Sequence, residues 1–390
     1  MDFDFTPEQQ MLRATFRKFV DREIKGSYAR ALDDDEASGF IDATMWGKLR
    51  DLGTFMVSVP EEYGGAHSSF INEVIITEEL SRGSAALGII VITTNGFGSR
   101  TILFNGNDEQ KKFFLPKLAR GEIKFALALT EPGGGTDILG SIRTTAVRDK
   151  GEFIINGHKR FISCAHVADY IVTVAKTDTS ASKKTRSLTV FIVETKEKAG
   201  LTVHPIRKIS IKGVSACDVF YDNVRVHPEC ILGELNNGWY HLLATLNHER
   251  ILVAAMTNGI GTAAFEDALE YAKSREAFGR PIGQFQAIQH KLADTAVELE
   301  LARLITYKAA WLLDQGRSCH VEAAMAKLFS SEMAFRAATR GLDILAGYGV
   351  TVEYDMQRYF RDSRNPIFSP ISNEMVRNFI GERLGLPKSY

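Results

Sequence analysis

The sequence predicts an α+β fold with its layers segregated along the chain, and two observations carry that prediction. Apolar residues recur at helical spacing near both ends, and a block of short, β-rich segments lies between them. An alternating βαβ fold would interleave the two textures instead.

From about residue 6 to 125 the helical spacing is plain in EQQMLRATFRKFV and EQKKFFLPKLARG. Turn clusters such as PEEYGG (60–65) and FNGND (104–108) punctuate it. This predicts an N-terminal helical domain over 1–125. From about 126 to 235 the segments FIING, YIVTVAKT, SLTVFIVET and CDVFYDNVRV alternate or run apolar, rich in Val, Ile, Phe and Thr. They predict a middle β domain, a barrel or sandwich, over 126–237, with Asn156-Gly157 as a two-residue hairpin turn. From 238 onward long helices return, as in HLLATLNHERILVAAMTNGIGTAAFEDALEYAKS and VEAAMAKLFSSEMAFRAATRGLDIL. They predict a C-terminal four-helix bundle over 238–390. These helices are apolar on more than one face, which suits a bundle that also packs against other subunits. Near the end, IFSPISNEMVRNF (367–379) turns at Pro370, and Ser372 followed by Glu374 marks the start of a final helix.

Composition narrows the functional classes. The 390 residues are 45% hydrophobic, enough for a sizeable core. Lysine plus arginine (47) nearly cancels aspartate plus glutamate (48), so a nucleic-acid or anionic-membrane surface is not expected. Cys164, Cys217, Cys230 and Cys319 lie in separate segments with no CxxC pair, which reads as thiols in a reducing compartment. The longest apolar run, LGIIVI at 87–92, is short for a bilayer span, and the N-terminus lacks the features of a signal peptide. The chain lacks GxGxxG after a strand, a P-loop, HExxH and GxSxG, and its histidines show no ligand spacing, so no metal site is expected.

Four stretches stand out. LALTEPGGGTD (127–137) runs a strand into three glycines, whose bare backbone can approach a phosphate or a planar ring. KRFISCA (159–165) places an aromatic and a hydroxyl two apart on a strand, hence on one face. REAFGRPIGQFQAIQ (275–289) breaks a helix at Gly279-Arg280-Pro281 with arginines on either side of Phe278. NHERILVA (247–254) carries a charged triplet into an apolar helix. Each alone has an ordinary structural reading: a glycine turn, a half-buried strand, a solvated helix end, a wet helix face.

Together, in this order and spacing, they closely resemble the acyl-CoA dehydrogenase family of flavoproteins. The resemblance spans essentially the whole chain and includes VPEEYGG (59–65), NDEQKKFFLPKLARGE (107–122), DILAGYGV (343–350) and RYFRDSR (358–364). It implies FAD bound where the strand domain meets the C-terminal helices, with an acyl-CoA thioester against the flavin. On that resemblance, Leu129, Thr130, Gly135 and Thr136 line the isoalloxazine ring and the start of the CoA arm. Phe161 stacks on the flavin and Ser163 offers its hydroxyl to N5, where the family more often has Trp and Thr. Arg275, Phe278 and Gln286 hold the pyrophosphate and adenosine of a neighbouring subunit's FAD, and Gly347 continues that cradle. Asp343 stands where glutamine is usual, and a carboxylate near a diphosphate needs a cation beside it. Ser372 and Glu374 lie toward the cofactor, and Thr136, His248, Arg250, Pro370 and Ile371 toward the substrate. A homotetramer, electron transfer to an electron-transferring flavoprotein and a cytoplasmic location are implied as well.

The family's chemistry needs a carboxylate to take the α-proton of the thioester while hydride leaves the β-carbon for flavin N5. Many members carry it on the turn before the last helix, where this chain has Pro370. A second subset carries it on the long helix, in a segment like NHERILVA, and there Glu249 is the match. The resemblance is close around HERILVA and FEDALEYA to crotonobetainyl-CoA reductase-like members. Proline also lacks the N–H that would meet the thioester oxygen. Ile371 N–H substitutes, the substrate is held differently, or its acyl group is activated. The leading expectation is an acyl-CoA dehydrogenase on a branched, cyclic or unsaturated acyl group. The alternatives are an enoyl-CoA reductase and a non-catalytic subunit that binds CoA thioesters.

Overall fold

A computed structural model describes residues 4–388 except Glu36 and His67, and leaves out the Ala244 side chain. The N-terminal part holds α1 (Pro7–Glu23), α2 (Ser27–Asp34), α3 (Ala43–Asp51) and α4 (Phe70–Gly83). After them come α5 (Ala85–Val91), which runs through a π-helical stretch (Ile92–Arg100) into α6 (Thr101–Asn105), and then α7 (Asp108–Ala119). Capping is local: Thr6 with Gln9 and Asn107 with Gln110 close reciprocal boxes at the starts of α1 and α7. The apolar run at 87–92 belongs to a continuous helical stretch, Ala85–Asn105, long and apolar enough by composition to cross a membrane. The six-residue run is one part of that stretch, and 78% of an 18-residue window within it is buried inside the fold, as in a core helix.

The strands form one seven-stranded sheet: β1 (Phe125–Ala128), β2 (Thr145–Asp149), β3 (Glu152–Ser163), β4 (Tyr170–Lys176), β5 (Leu188–Glu194), β6 (Leu201–Ile206) and β7 (Ala216–Val226). Its order is β1-β4-β2-β3-β7-β6, with β5 paired to β4 on a separate edge. Both faces of β4 and β5 are buried, and alternate residues serve different cores. Ile171, Ala175, Phe191 and Val193 join the sheet's own cluster, whereas Val172, Val174, Val190 and Ile192 pack with Phe114, Leu115 and Leu118 of α7.

The Asn156-Gly157 hairpin is corrected: β3 runs straight through both residues, with a register shift against β7 there. The turn falls earlier, at Lys150 and Gly151, both at positive φ. Gly157 is needed for close approach, because a Cβ there would sit 2.3 Å from the Thr144 hydroxyl.

A short helix, α8 (Ile138–Ser141), follows the glycine run after β1. The C-terminal part holds α9 (Gly238–Ser274), a two-stranded hairpin (β8, Glu276–Ala277; β9, Arg280–Pro281), α10 (Gln286–Asp314) and α11 (His320–Leu345). It ends with α12 (Met356–Arg364) and α13 (Asn373–Arg383). α9 packs on α10, α11 and, from the N-terminal part, α4. Gly259 makes that last crossing tight, since a Cβ there would meet Glu78 O at 2.3 Å.

Candidate active site

The glycine run after β1 is anchored by a buried carboxylate. Glu131 accepts from the Arg143 N–H (2.6 Å), the Thr144 N–H (3.0 Å) and the Lys159 ammonium (2.9 Å). Lys159 also donates to the Leu129 carbonyl at 3.0 Å, and Arg160 N–H to the Thr130 carbonyl at 2.9 Å. Leu129 and Thr130 are thereby brought onto the β3 segment that carries Phe161 and Ser163. Gly133 and Gly135 face open space, and Gly135 and Thr136 are exposed.

Phe161 lies 59% exposed at positive φ, where β3 shifts register against β7. The bulge turns its ring outward while Ile162 is buried, and the Arg160 guanidinium sits 5.2 Å above the ring. Ser163, half-buried, pairs with Ala216 of β7.

Glu249 lies on α9, deep in the body of the protein, with part of its surface still open. Its carboxylate makes no hydrogen bond or ion pair among the described residues. Burial pushes its pKa up to about 7, against a smaller pull from the Arg250 charge. Arg250 points away, as the next residue on a helix must, with its guanidinium 5.6 Å from the Phe379 ring of α13. His248 is buried between Phe70 (5.0 Å) and Phe104 (5.2 Å), and Asn247 bonds the His320 ring at 2.6 Å.

The turn before α13 has the expected cap, with the Ser372 hydroxyl accepting from Met375 N–H at 3.3 Å. Glu374 is exposed in the first helical turn, and backbone and Ser372 hydrogen bonds hold its carboxyl below the ordinary value. Pro370 and Ile371 are half-buried. Beneath them lies Lys327 of α11, fully buried, which donates to Ile371 O (2.5 Å), Asn373 Oδ1 (2.7 Å) and Ile367 O (3.3 Å). Burial pulls Lys327 down to about 7.

A second group gathers elsewhere. Arg275, at the end of α9, and Gly347 line an open cleft of about 450 Å³ together with Tyr271, Ile344 and Tyr348. Phe278 stands 95% exposed at positive φ in the β8–β9 turn, and Gln286 opens α10, exposed. Asp343 is paired with Lys291 at 2.5 Å, the cation its position calls for. This second group shares no hydrogen bond, ion pair or ring contact with the residues around Glu249 among the described residues.

Three family descriptions cover nearly the whole chain: the acyl-CoA dehydrogenase N-terminal domain over 6–122, the middle domain over 126–224 and the C-terminal domain over 236–385. The chain belongs to the acyl-CoA dehydrogenase family. It is 39% identical to the 3-(aryl)acrylate reductase of Clostridium sporogenes over 92% of this chain and 94% of that protein. It is 34% identical to the caffeyl-CoA reductase-Etf complex subunit CarC of Acetobacterium woodii, over 92% of this chain and 93% of that one. Butyryl-CoA dehydrogenase from Megasphaera elsdenii superposes with a TM-score of 0.93 at 32% identity, covering 99% and 100% of the two chains.

Like other acyl-CoA dehydrogenases, the protein is an FAD-dependent oxidoreductase acting on CH–CH donors. Its residues fit that cofactor: the backbone at Gly133 and Gly135 is unobstructed, the Phe161 ring stands out from the sheet, and Arg275 with Gly347 lines an open cleft. Sequence reasoning missed Glu131, Lys159, Lys291 and Lys327. The signal for one of them was present: Lys327 lies inside the apolar run AAMAKLF, whereas Lys159 sits among polar neighbours in NGHKR.

Proposed function

We propose that this enzyme is an FAD-dependent acyl-CoA dehydrogenase in which Glu249 removes the α-proton of a branched, cyclic or unsaturated acyl-CoA thioester. One observation carries the reading. Glu249 is a largely buried carboxylate with no hydrogen bond or ion pair among the described residues, and burial raises its proton affinity to about 7, where a general base works best. The other family position for the base holds Pro370, which moves no proton. Bound FAD supplies the acceptor for the hydride that leaves the β-carbon. The chain's own part is to hold the acyl group against the ring system on which Phe161 stacks, within reach of Glu249, and to withhold water from the carboxylate. Leu129, Thr130, Gly135, Thr136 and Ser163 support the ring system, with Ser372 and Glu374 at its far side. His248, Arg250, Pro370 and Ile371 wall the acyl pocket.

A second reading reverses the arrow. Two relatives are named as reductases, of 3-(aryl)acrylates and of caffeyl-CoA, so an enoyl-CoA reductase using protonated Glu249 as the α-carbon donor is favoured next.

The assembly is a cytoplasmic homotetramer that exchanges electrons with an electron-transferring flavoprotein. Support comes from the Etf complex of the caffeyl-CoA relative and from four free cysteines suited to a reducing compartment. It also comes from Val297, Leu301, Leu304 and Trp311, exposed along one side of α10. Arg275, Phe278, Gln286 and Gly347, apart from Glu249 within one chain, hold the adenosine arm of a neighbour's FAD, with Asp343 neutralised by Lys291.

The test is a spectral titration of the holoenzyme with linear, branched, cyclic and aryl CoA thioesters, saturated and unsaturated, repeated with Glu249→Gln. Bleaching of the flavin by a saturated thioester, lost in the variant, supports the dehydrogenase. Full bleaching rates in Glu249→Gln would remove Glu249 from the chemistry.

A further inference from the structure

Pro370 takes a backbone donor out of the turn that walls the acyl pocket, yet the turn is firmly held. The Lys327 ammonium bonds Ile367 O at 3.3 Å and Ile371 O at 2.5 Å, one carbonyl on each side of the proline. It also bonds Asn373 Oδ1 at 2.7 Å, and Asn373 donates to Ser331 Oγ at 3.1 Å and Glu332 Oε1 at 3.3 Å. α11 thus grips both flanks of Pro370 and the start of α13 through buried polar atoms, and such a network sets a single geometry.

Within that anchored turn, the Ile371 N–H has no acceptor among the described residues, although Ile371 is only partly exposed. A backbone donor that no protein group accepts from is open to a ligand or to water. The turn also lies beside the helix segment that bears Glu249: Arg250 touches the Phe379 ring of α13, and its charge acts on Lys327.

We propose that the Ile371 N–H replaces the donor lost at Pro370 and hydrogen-bonds the thioester oxygen, and that Lys327 is the positioning residue that aims it. The proposal rests on the thioester chemistry assigned to Glu249 above. As the α-proton passes to Glu249, the carbon's electron pair moves into the thioester and negative charge grows on its oxygen. A donor fixed there in advance stabilises that charge without reorganising. Lys327 acts through two carbonyls of the turn and never touches substrate. The groups facing it are Arg250, which lowers its proton affinity as burial does, and Glu374 and Glu332, which raise it.

The test compares holoenzymes carrying Ile371→Ala, which keeps the N–H, and Ile371→Pro, which deletes it. Flavin bleaching by a thioester that reduces the wild-type enzyme should slow within a few-fold in the first. In the second it should slow by roughly 100-fold or more, with thioester affinity little changed. Equal rates in the two variants would overturn the proposal. A second measurement needs only binding. The carbonyl stretch of a ¹³C-labelled thioester bound to Glu249→Gln should lie below its value in water, and adding Lys327→Met should return it toward that value. A stretch unmoved by Lys327→Met, even with lowered thermal stability, would reduce Lys327 to a packing residue and sink its assigned role. Should no thioester bleach the wild-type flavin, the dehydrogenase reading fails, while the infrared comparison, repeated with Ile371→Pro in place of Lys327→Met, still decides the donor.

Discussion

Lys159 and Glu131 face each other at 2.9 Å, both withdrawn from water, the ammonium of β3 against the carboxylate that opens the glycine run. The pair fixes the backbone between β1 and α8 to the strand that presents Phe161, so two segments proposed to face the cofactor share one support. Removing one partner leaves the other charge buried alone, a loss worth about 3–5 kcal/mol. Lys159→Met is therefore expected to lower the denaturation midpoint sharply and to release flavin on purification. Absorbance ratios and urea melts of the variant measure both effects.

Proton removal by Glu249 requires the carboxylate. The rate of flavin bleaching by a saturated thioester is expected to rise with pH and level off above about 7, the value to which burial raises this group. Reduction of an unsaturated thioester needs the protonated form, so its rate should fall across the same window. Stopped-flow pH profiles in both directions separate the two signs.

The same shift has a stability consequence. The folded-state value, about 7, lies above the ordinary 4.5, so ionising Glu249 opposes folding. That penalty is absent below about pH 4.5, grows up to 7 and stays constant above. It amounts to at most about 3 kcal/mol. Glu249→Gln should consequently raise the apoenzyme's stability at pH 8 and leave it nearly unchanged at pH 5. Denaturant titrations at the two values check this.

The exposed row Val297, Leu301, Leu304 and Trp311 on α10 is the surface proposed above to meet a second subunit. A double substitution, Leu301→Glu with Leu304→Glu, is expected to lower the oligomer mass in light scattering. It should also cut flavin retention, since the adenosine arm is assigned to residues of a neighbouring subunit.

Much of this could be read before any coordinates. The Ser372 cap, the α9 segment bearing Glu249 and the helix–sheet–helix order follow from short-range rules: a hydroxyl beside an open helix end, apolar periods of 3.6 and 2. Asn156-Gly157 misled because those rules see only neighbours. A Thr144 side chain 2.3 Å from where a Cβ would stand, distant along the chain, is what requires glycine there. The positive φ at Phe161 escaped for a similar reason, since it answers a register shift between β3 and β7.

What the sequence alone determined is the order of layers, the family-defining stretches and the proline in the turn before the last helix, because each is written in adjacent residues. The tertiary structure decided which charges meet. Lys159 lies 28 residues from Glu131, Lys291 lies 52 from Asp343 and Lys327 lies 44 from Ile371. No local preference encodes such pairs. They form because a buried ammonium or carboxylate must find a partner where packing happens to bring one, whereas among the described residues packing brings Glu249 no hydrogen bond or ion pair, and burial raises its proton affinity.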